Sequence, residues 1–137
     1  MNLPSLAGVS HIALTVSDLD RSVSWYVDTL GFAVLFPYDT DAFTRRILLH
    51  PSGAVIALTQ HTGAATTAFD PTVTGLDHIG FAVSDAALLQ EWADWLTAQG
   101  VQHNGVQVTP ATGSSLVAFG DPDGVALELY VQGALPS

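Results

Sequence analysis

The segment GLDHIGFAVSD (75–85) repeats an earlier one, GVSHIALTVSD (8–18), with His78 standing 67 residues after His11. Self-similarity at a fixed offset marks a duplicated supersecondary unit, and it governs how the rest of the chain is read. Each copy alternates apolar with small or polar residues, as a strand with one buried face does. Each then runs into a helical pattern. In the first, Asp18 can cap, Leu19, Val23, Tyr26 and Leu30 share a face, and Gly31 ends the helix. In the second, Asp85 can cap, Leu88, Trp92, Trp95 and Leu96 form the stripe, and Gly100 ends it.

Three strand-like runs follow each helix: 32–36, about 43–49 and 54–60 in the first copy, then about 101–109, 115–120 and 125–131 in the second. The final runs align as GAVIALTQH (53–61) with GVALELYVQ (124–132), and HPSG (50–53) and DPDG (121–124) supply tight hairpin turns. Between the copies lies TGAATTAFDPTVT (62–74), a small-residue linker without periodicity. The expected fold is α+β: two βαβββ modules, about 8–61 and about 75–132, side by side in a single domain over 1–137.

A chain of 137 residues suits one domain with a sizeable core. The net charge of −10 arises from scarce bases: three arginines (Arg21, Arg45, Arg46) and no lysine. Such a surface repels phosphate backbones and anionic lipid, so nucleic acid and membrane surfaces are not expected partners. The absence of cysteine excludes disulfides, thiolate metal sites and a cysteine nucleophile. The opening MNLPSLAGVSHIALTV lacks the basic start of a secretory signal, and no apolar run is long enough to span a bilayer, so a cytoplasmic protein is expected.

Strand parity locates the candidate site. Ile12, Leu14 and Val16 form the core-facing side of the first strand, opposite His11, Ala13 and Thr15. In its repeat, Ile79, Phe81 and Val83 oppose His78, Gly80 and Ala82. In the last strand, Val125, Leu127, Leu129 and Val131 oppose Ala126, Glu128 and Tyr130. A lone strand histidine is usually a hydrogen-bonded structural residue, and a lone strand glutamate an exposed one. Three such side chains, each among small neighbours on the non-core face, suit a divalent metal with open coordination positions.

VSHIALTVSDLDRSVSWYVDTLGF (9–32), LDHIGFAVSD (76–85) and FGDPDGVALELY (119–130) together resemble the vicinal oxygen chelate superfamily. That family includes glyoxalase I, extradiol ring-cleaving dioxygenases, fosfomycin-resistance enzymes, methylmalonyl-CoA epimerase and bleomycin-binding proteins. The resemblance implies a cupped mixed sheet with helices on its outer face and one divalent metal ion, iron, manganese, zinc or nickel, held by His11, His78 and Glu128. It also implies a homodimer, with the site formed within one chain or exchanged between two.

Departures from the family pattern narrow the activity. The position aligned with Glu128 in the first module is Ala57, where glyoxalase I-like enzymes carry a fourth ligand. Gln60 faces the other way, and His61 lies roughly 13 Å further along the strand. Fosfomycin-type sites draw Lys and Arg from the second module, which here has neither. The tyrosine of ring-cleaving enzymes corresponds to Ala118.

Among other residues, Tyr130 could supply a phenol or form a rim aromatic. Phe43, Ile47 and Leu49 share a parity expected to face the helix, leaving Thr44, Arg46, Leu48 and His50 toward the open side. Arg46 is thereby a candidate anion or carbonyl anchor, or else a surface arginine paired with an acid. His50 and His103 are expected to be exposed, Trp25, Trp92 and Trp95 to pack, and Asp121 and Asp123 to serve the turn. Two functions remain. One is a metal-dependent enzyme, dioxygenase-like or lyase/isomerase-like, acting on a small oxygen-chelating substrate. The other is a non-catalytic binder that sequesters a natural product, its acidic cleft attracting cations.

Overall fold

The duplicated segments become β1 (Ile12–Thr15) and β5 (Ile79–Ala82) in a computed structural model that describes residues 1–64 and 67–134. The chain divides after Thr66 into two units, each a βαβββ module with one four-stranded mixed sheet and one helix. The linker expected over 62–74 includes Ala65 and Thr66, which lie outside the described residues.

In the first unit β1 is followed by α1 (Leu19–Leu30), β2 (Ala33–Pro37), β3 (Phe43–Leu49) and β4 (Val55–His61), with strand order β1-β4-β3-β2. β1 runs parallel to β4, which requires the helical crossover between β1 and β2, and the remaining pairs are antiparallel hairpins. Two side chains satisfy the first amides of α1. Asp18 Oδ1 accepts from Arg21 N at 3.1 Å, and Gln60 Oε1, reaching over from β4, accepts from Leu19 N at 2.8 Å. Gly31 ends the helix with φ 82°, a conformation that costs other residues energy. Leu14, Leu48, Ile56 and Leu58 form the sheet's buried face, on which α1 sets Leu19, Tyr26 and Leu30. Each of these fully buried side chains contributes about 1.5–3 kcal/mol.

In the second unit β5 is followed by α2 (Ala86–Ala98), β6 (Gln107–Val108), β7 (Ser115–Gly120) and β8 (Ala126–Val131), in the matching order β5-β8-β7-β6. Asp85 caps α2, its Oδ1 accepting from Ala87 N at 2.8 Å. The helix is rotated from the expected stripe. Leu89, Ala93 and Leu96 are buried, whereas Leu88 and Trp95 are 37% and 44% exposed. The small Ala93 lets the helix approach β7 and β8 closely, and large residues do not enforce the contact face when a neighbouring i, i+4, i+7 row fits better.

The strand expected over 101–109 shrinks to two residues. Its first half is held as a loop by His103, whose Nε2 pairs with Thr97 Oγ1 at 2.7 Å and whose Nδ1 accepts from Gly105 N at 3.0 Å. His103 is therefore half-buried and structural, not an exposed strand residue. His50 is likewise half-buried, its Nδ1 bound to Ser52 within the HPSG turn and its ring 5.1 Å from that of Phe32. The DPDG turn is as expected: the buried Asp121 carboxylate accepts from Asp123 N and Val125 N, both at 2.9 Å.

Candidate metal centre

Glu128 is placed by its strand neighbours. β8 pairs with β5 and β7 so that Glu128 lies between Gly80 and Ala118, with Leu127 and Leu129 turned into the core on either side. Neighbours with one methyl or none leave the carboxylate room to extend above the sheet. It is 23% exposed, with Tyr130 next along the same face.

His78 precedes β5 and carries the same parity as Gly80. Its Nε2 faces Glu128 Oε2 at 3.6 Å, too long for a hydrogen bond. Its other nitrogen, Nδ1, lies 2.6 Å from Asp77 Oδ1, a short charge-assisted contact. That contact raises the His78 pKa from its ordinary value, against a smaller opposing effect of partial desolvation, with Glu128 acting in the same sense as Asp77. Asp77 also fixes the tautomer when the ring is neutral: the proton stays on Nδ1 and the Nε2 lone pair faces Glu128. This is the carboxylate–histidine arrangement by which proteins orient a metal-binding imidazole.

The pair suits a divalent cation. An ion bound at about 2.1 Å to each atom, with an angle between about 110 and 120°, separates nitrogen and oxygen by about 3.4–3.6 Å. The observed 3.6 Å lies at that limit, so little rearrangement is needed. Among the described residues no group of three or more His, Cys, Asp or Glu side chains is placed to hold a metal ion.

His11 belongs to the first unit. It precedes β1 as His78 precedes β5, it is exposed, and its Nδ1 lies 3.0 Å from Ser10 Oγ. Both histidines thus engage Nδ1 with the side chain one residue before them, leaving Nε2 for other partners. Neither Ser10 nor Asp77 stands out in the sequence until the strand start directs each side chain at the ring of the histidine that follows it. The signal available was the polar residue before each repeated His.

Ala57 is the register equivalent of Glu128, but it lies between Ala13 and Ile47 and is 2% exposed, so the first module offers no carboxylate there. Gln60 is committed to α1, and the ring of His61 lies 5.9 Å from that of Phe43.

The register also corrects the reading of β3. Leu48 pairs with Ile56 and is completely buried, and Arg46 pairs with Leu58, so that parity belongs to the helix side. Arg46 ends in an ion pair with Asp39 at 2.7 Å. Arg45, which pairs with Thr59, lies on the opposite face.

A family model described as Glyoxalase/Bleomycin resistance protein/Dioxygenase superfamily matches residues 8–129. The uncharacterized protein YwkD of Bacillus subtilis (strain 168) is 31% identical over 129 residues, covering 93% of this chain and 98% of its own length. The metallothiol transferase FosB of Staphylococcus haemolyticus (strain JCSC1435) is 26% identical over 91% of this chain and 84% of its own. Among solved structures, the glyoxylase/bleomycin resistance protein/dioxygenase domain from Frankia sp. EAN1pec superposes with a TM-score of 0.86 at 36% identity, covering 93% of this chain and 99% of that one. The repeated βαβββ units, their strand order and the matched span agree: the chain belongs to the glyoxalase/bleomycin resistance protein/dioxygenase superfamily.

Proposed function

We propose that this protein is a divalent-metal-dependent enzyme whose ion is held by His11, His78 and Glu128 and whose substrate is a small molecule presenting neighbouring oxygens. The observation that carries the reading is the His78–Glu128 pair, 3.6 Å apart above Gly80 and Ala118, with His78 Nδ1 held by Asp77. Such an ion supplies Lewis acidity to an ionisable or chelating oxygen pair, which suits dioxygenase-like and lyase- or isomerase-like reactions.

The chain's own contributions are positional. Gly80 and Ala118 keep volume free beside Glu128, Asp77 orients His78, and Tyr130 lines the same face with its phenol. Lys and Arg are absent from the second module, which disfavours a phosphonate substrate of the fosfomycin type even though FosB is among the relatives. The two modules act as one domain, and the protein works as a cytoplasmic homodimer. No helix among the described residues is long and apolar enough to cross a membrane.

A second reading, a metal-free binder of a natural product, draws support from Ala57, which puts a methyl group where the second module has Glu128, and from Ile47, bulkier than the corresponding Ala118. Elemental analysis of protein purified without chelators separates the two. About one equivalent of metal per chain, lost in His78→Ala and Glu128→Ala, supports the enzyme. No metal after reconstitution with iron, manganese, zinc or nickel refutes it. Co-expressing His11→Ala with His78→Ala chains tests the pairing. A site exchanged between subunits restores one intact centre per mixed dimer, and a site within one chain restores none.

A further inference from the structure

Arg45 is a constrained cation that nothing proposed above uses. Its Nε donates to the hydroxyl of Thr59 at 2.8 Å, and Thr59 is 2% exposed. Its guanidinium lies over the Phe43 ring, 4.1 Å from the centroid, and 5.7 Å from that of Tyr38. A guanidinium held by one nitrogen and stacked on an aromatic face has lost most of its freedom before any ligand arrives. Asp39, the nearby acid, is committed elsewhere: its Oδ1 accepts from Arg46 Nη1 at 2.7 Å and from the Arg45 backbone amide at 3.1 Å. Among the described residues the guanidinium makes no ion pair, and its Nη1 and Nη2 groups bind no acceptor.

The strand register gives this arginine its direction. Arg45, Thr59 and Thr15 form one row across β3, β4 and β1, and Ile47, Ala57 and Ala13 form the next. His11 continues the same parity beyond Ala13. Between a fixed cation and the candidate ligand His11 the face is therefore apolar, with Ile47 beside the small Ala57 and Ala13. A single planar guanidinium with two outward nitrogens matches one carboxylate in bidentate geometry. It is a poor match for a doubly charged phosphate or phosphonate in a chain of net charge −10 with only three basic residues.

We infer that Arg45, locked by Thr59 and Phe43, is the anchor for a carboxylate on a small substrate with an apolar body. The inference deepens the proposed function by naming its substrate class, and it rests on that reading for the word substrate. Anion binding by the metal-free chain is nonetheless independent of any metal.

The test is therefore made on the full chain stripped with chelator. The three arginine Nε–H signals, assigned by substitution, are followed by NMR during titration with benzoate, its neutral isostere benzamide, and inorganic phosphate. Expected is a saturable shift of the Arg45 signal with benzoate, absent with benzamide. Arg45→Lys and the nearly isosteric Thr59→Val should each weaken benzoate binding by about tenfold or more, because the first loses the fork and the second its lock. Arg46→Lys should leave it unchanged. Equal shifts from benzoate and benzamide, or unchanged affinity in a folded Arg45→Lys protein, overturn the anchor. Tighter binding of phosphate than of benzoate overturns the carboxylate class.

Discussion

Removing Asp77 offers the most direct test of how the candidate metal centre is built. Its carboxylate makes a 2.6 Å contact with His78 Nδ1, the ring nitrogen facing away from Glu128. Loss of such an outer partner ordinarily costs about 10- to 100-fold in metal affinity. Asp77 is 76% exposed, so solvent screens the contact and places the effect at the lower end. The expectation for Asp77→Ala is about a tenfold weaker site, ~1.4 kcal/mol. Asp77→Asn keeps an acceptor for Nδ1–H without the charge and should fall between wild type and Ala.

The measurement is competition calorimetry, with a chelator of known affinity set against manganese or nickel over a range of pH. Asp77 is also the main cause of the raised His78 pKa, so the pH dependence has a predicted sign. Above that pKa the variant binds more weakly. As the pH falls, protons compete with the metal for wild-type His78 earlier than for the variant, and the deficit shrinks. An Asp77→Ala protein within about twofold of wild type at high pH, while Glu128→Ala has lost the metal, would refute the orienting role.

Further outcomes follow from burial and charge. His78 has a folded-state pKa above its unfolded one, so in metal-free protein its stabilising contribution is fully present below the unfolded pKa. It is lost as the pH rises through the folded value, so urea midpoints of wild type and His78→Gln should converge with rising pH; a constant gap would contradict the assignment. Leu89→Ala should cost about 3 kcal/mol and Leu88→Ala under about 1 kcal/mol in urea denaturation, and the reverse order would restore the α2 stripe expected from sequence. A Cβ on Gly133 would meet Thr112 O, with Ser114 N at 2.5 Å and the Gly113 carbonyl carbon at 2.7 Å. Because those contacts are backbone atoms that cannot swing aside, Gly133→Ala should lower stability by about 1–3 kcal/mol, and an unchanged thermal midpoint would show that the strand end can shift.

Sequence reading went wrong where a residue's direction depends on a partner strand or helix. On β3, the apolar majority at 43, 47 and 49 suggested that this parity faces the helix. Pairing with β4 put Leu48 there instead, and with it Arg46. β4 itself is buried on both faces from Ile56 to Thr59, so it carries no alternation from which its neighbour's parity could be inferred. On α2, the tryptophans drew the stripe toward 92 and 95, although the helix seats on the row containing Ala93. The loop over 101–106 depends on a histidine bridging to a helix residue, a contact absent from any local pattern.

The sequence by itself determined the duplication, both helix starts at Asp18 and Asp85, the turn chemistry of DPDG and the face on which Glu128 emerges, because each follows from local spacing or from alternation along one strand. Only the tertiary structure decided that Asp77 grips His78, that Gln60 caps α1, and that Arg45 rather than Arg46 stands on the open face. Each of these depends on which strands pair and in what register, a free-energy minimum of the folded module that its separate segments do not contain.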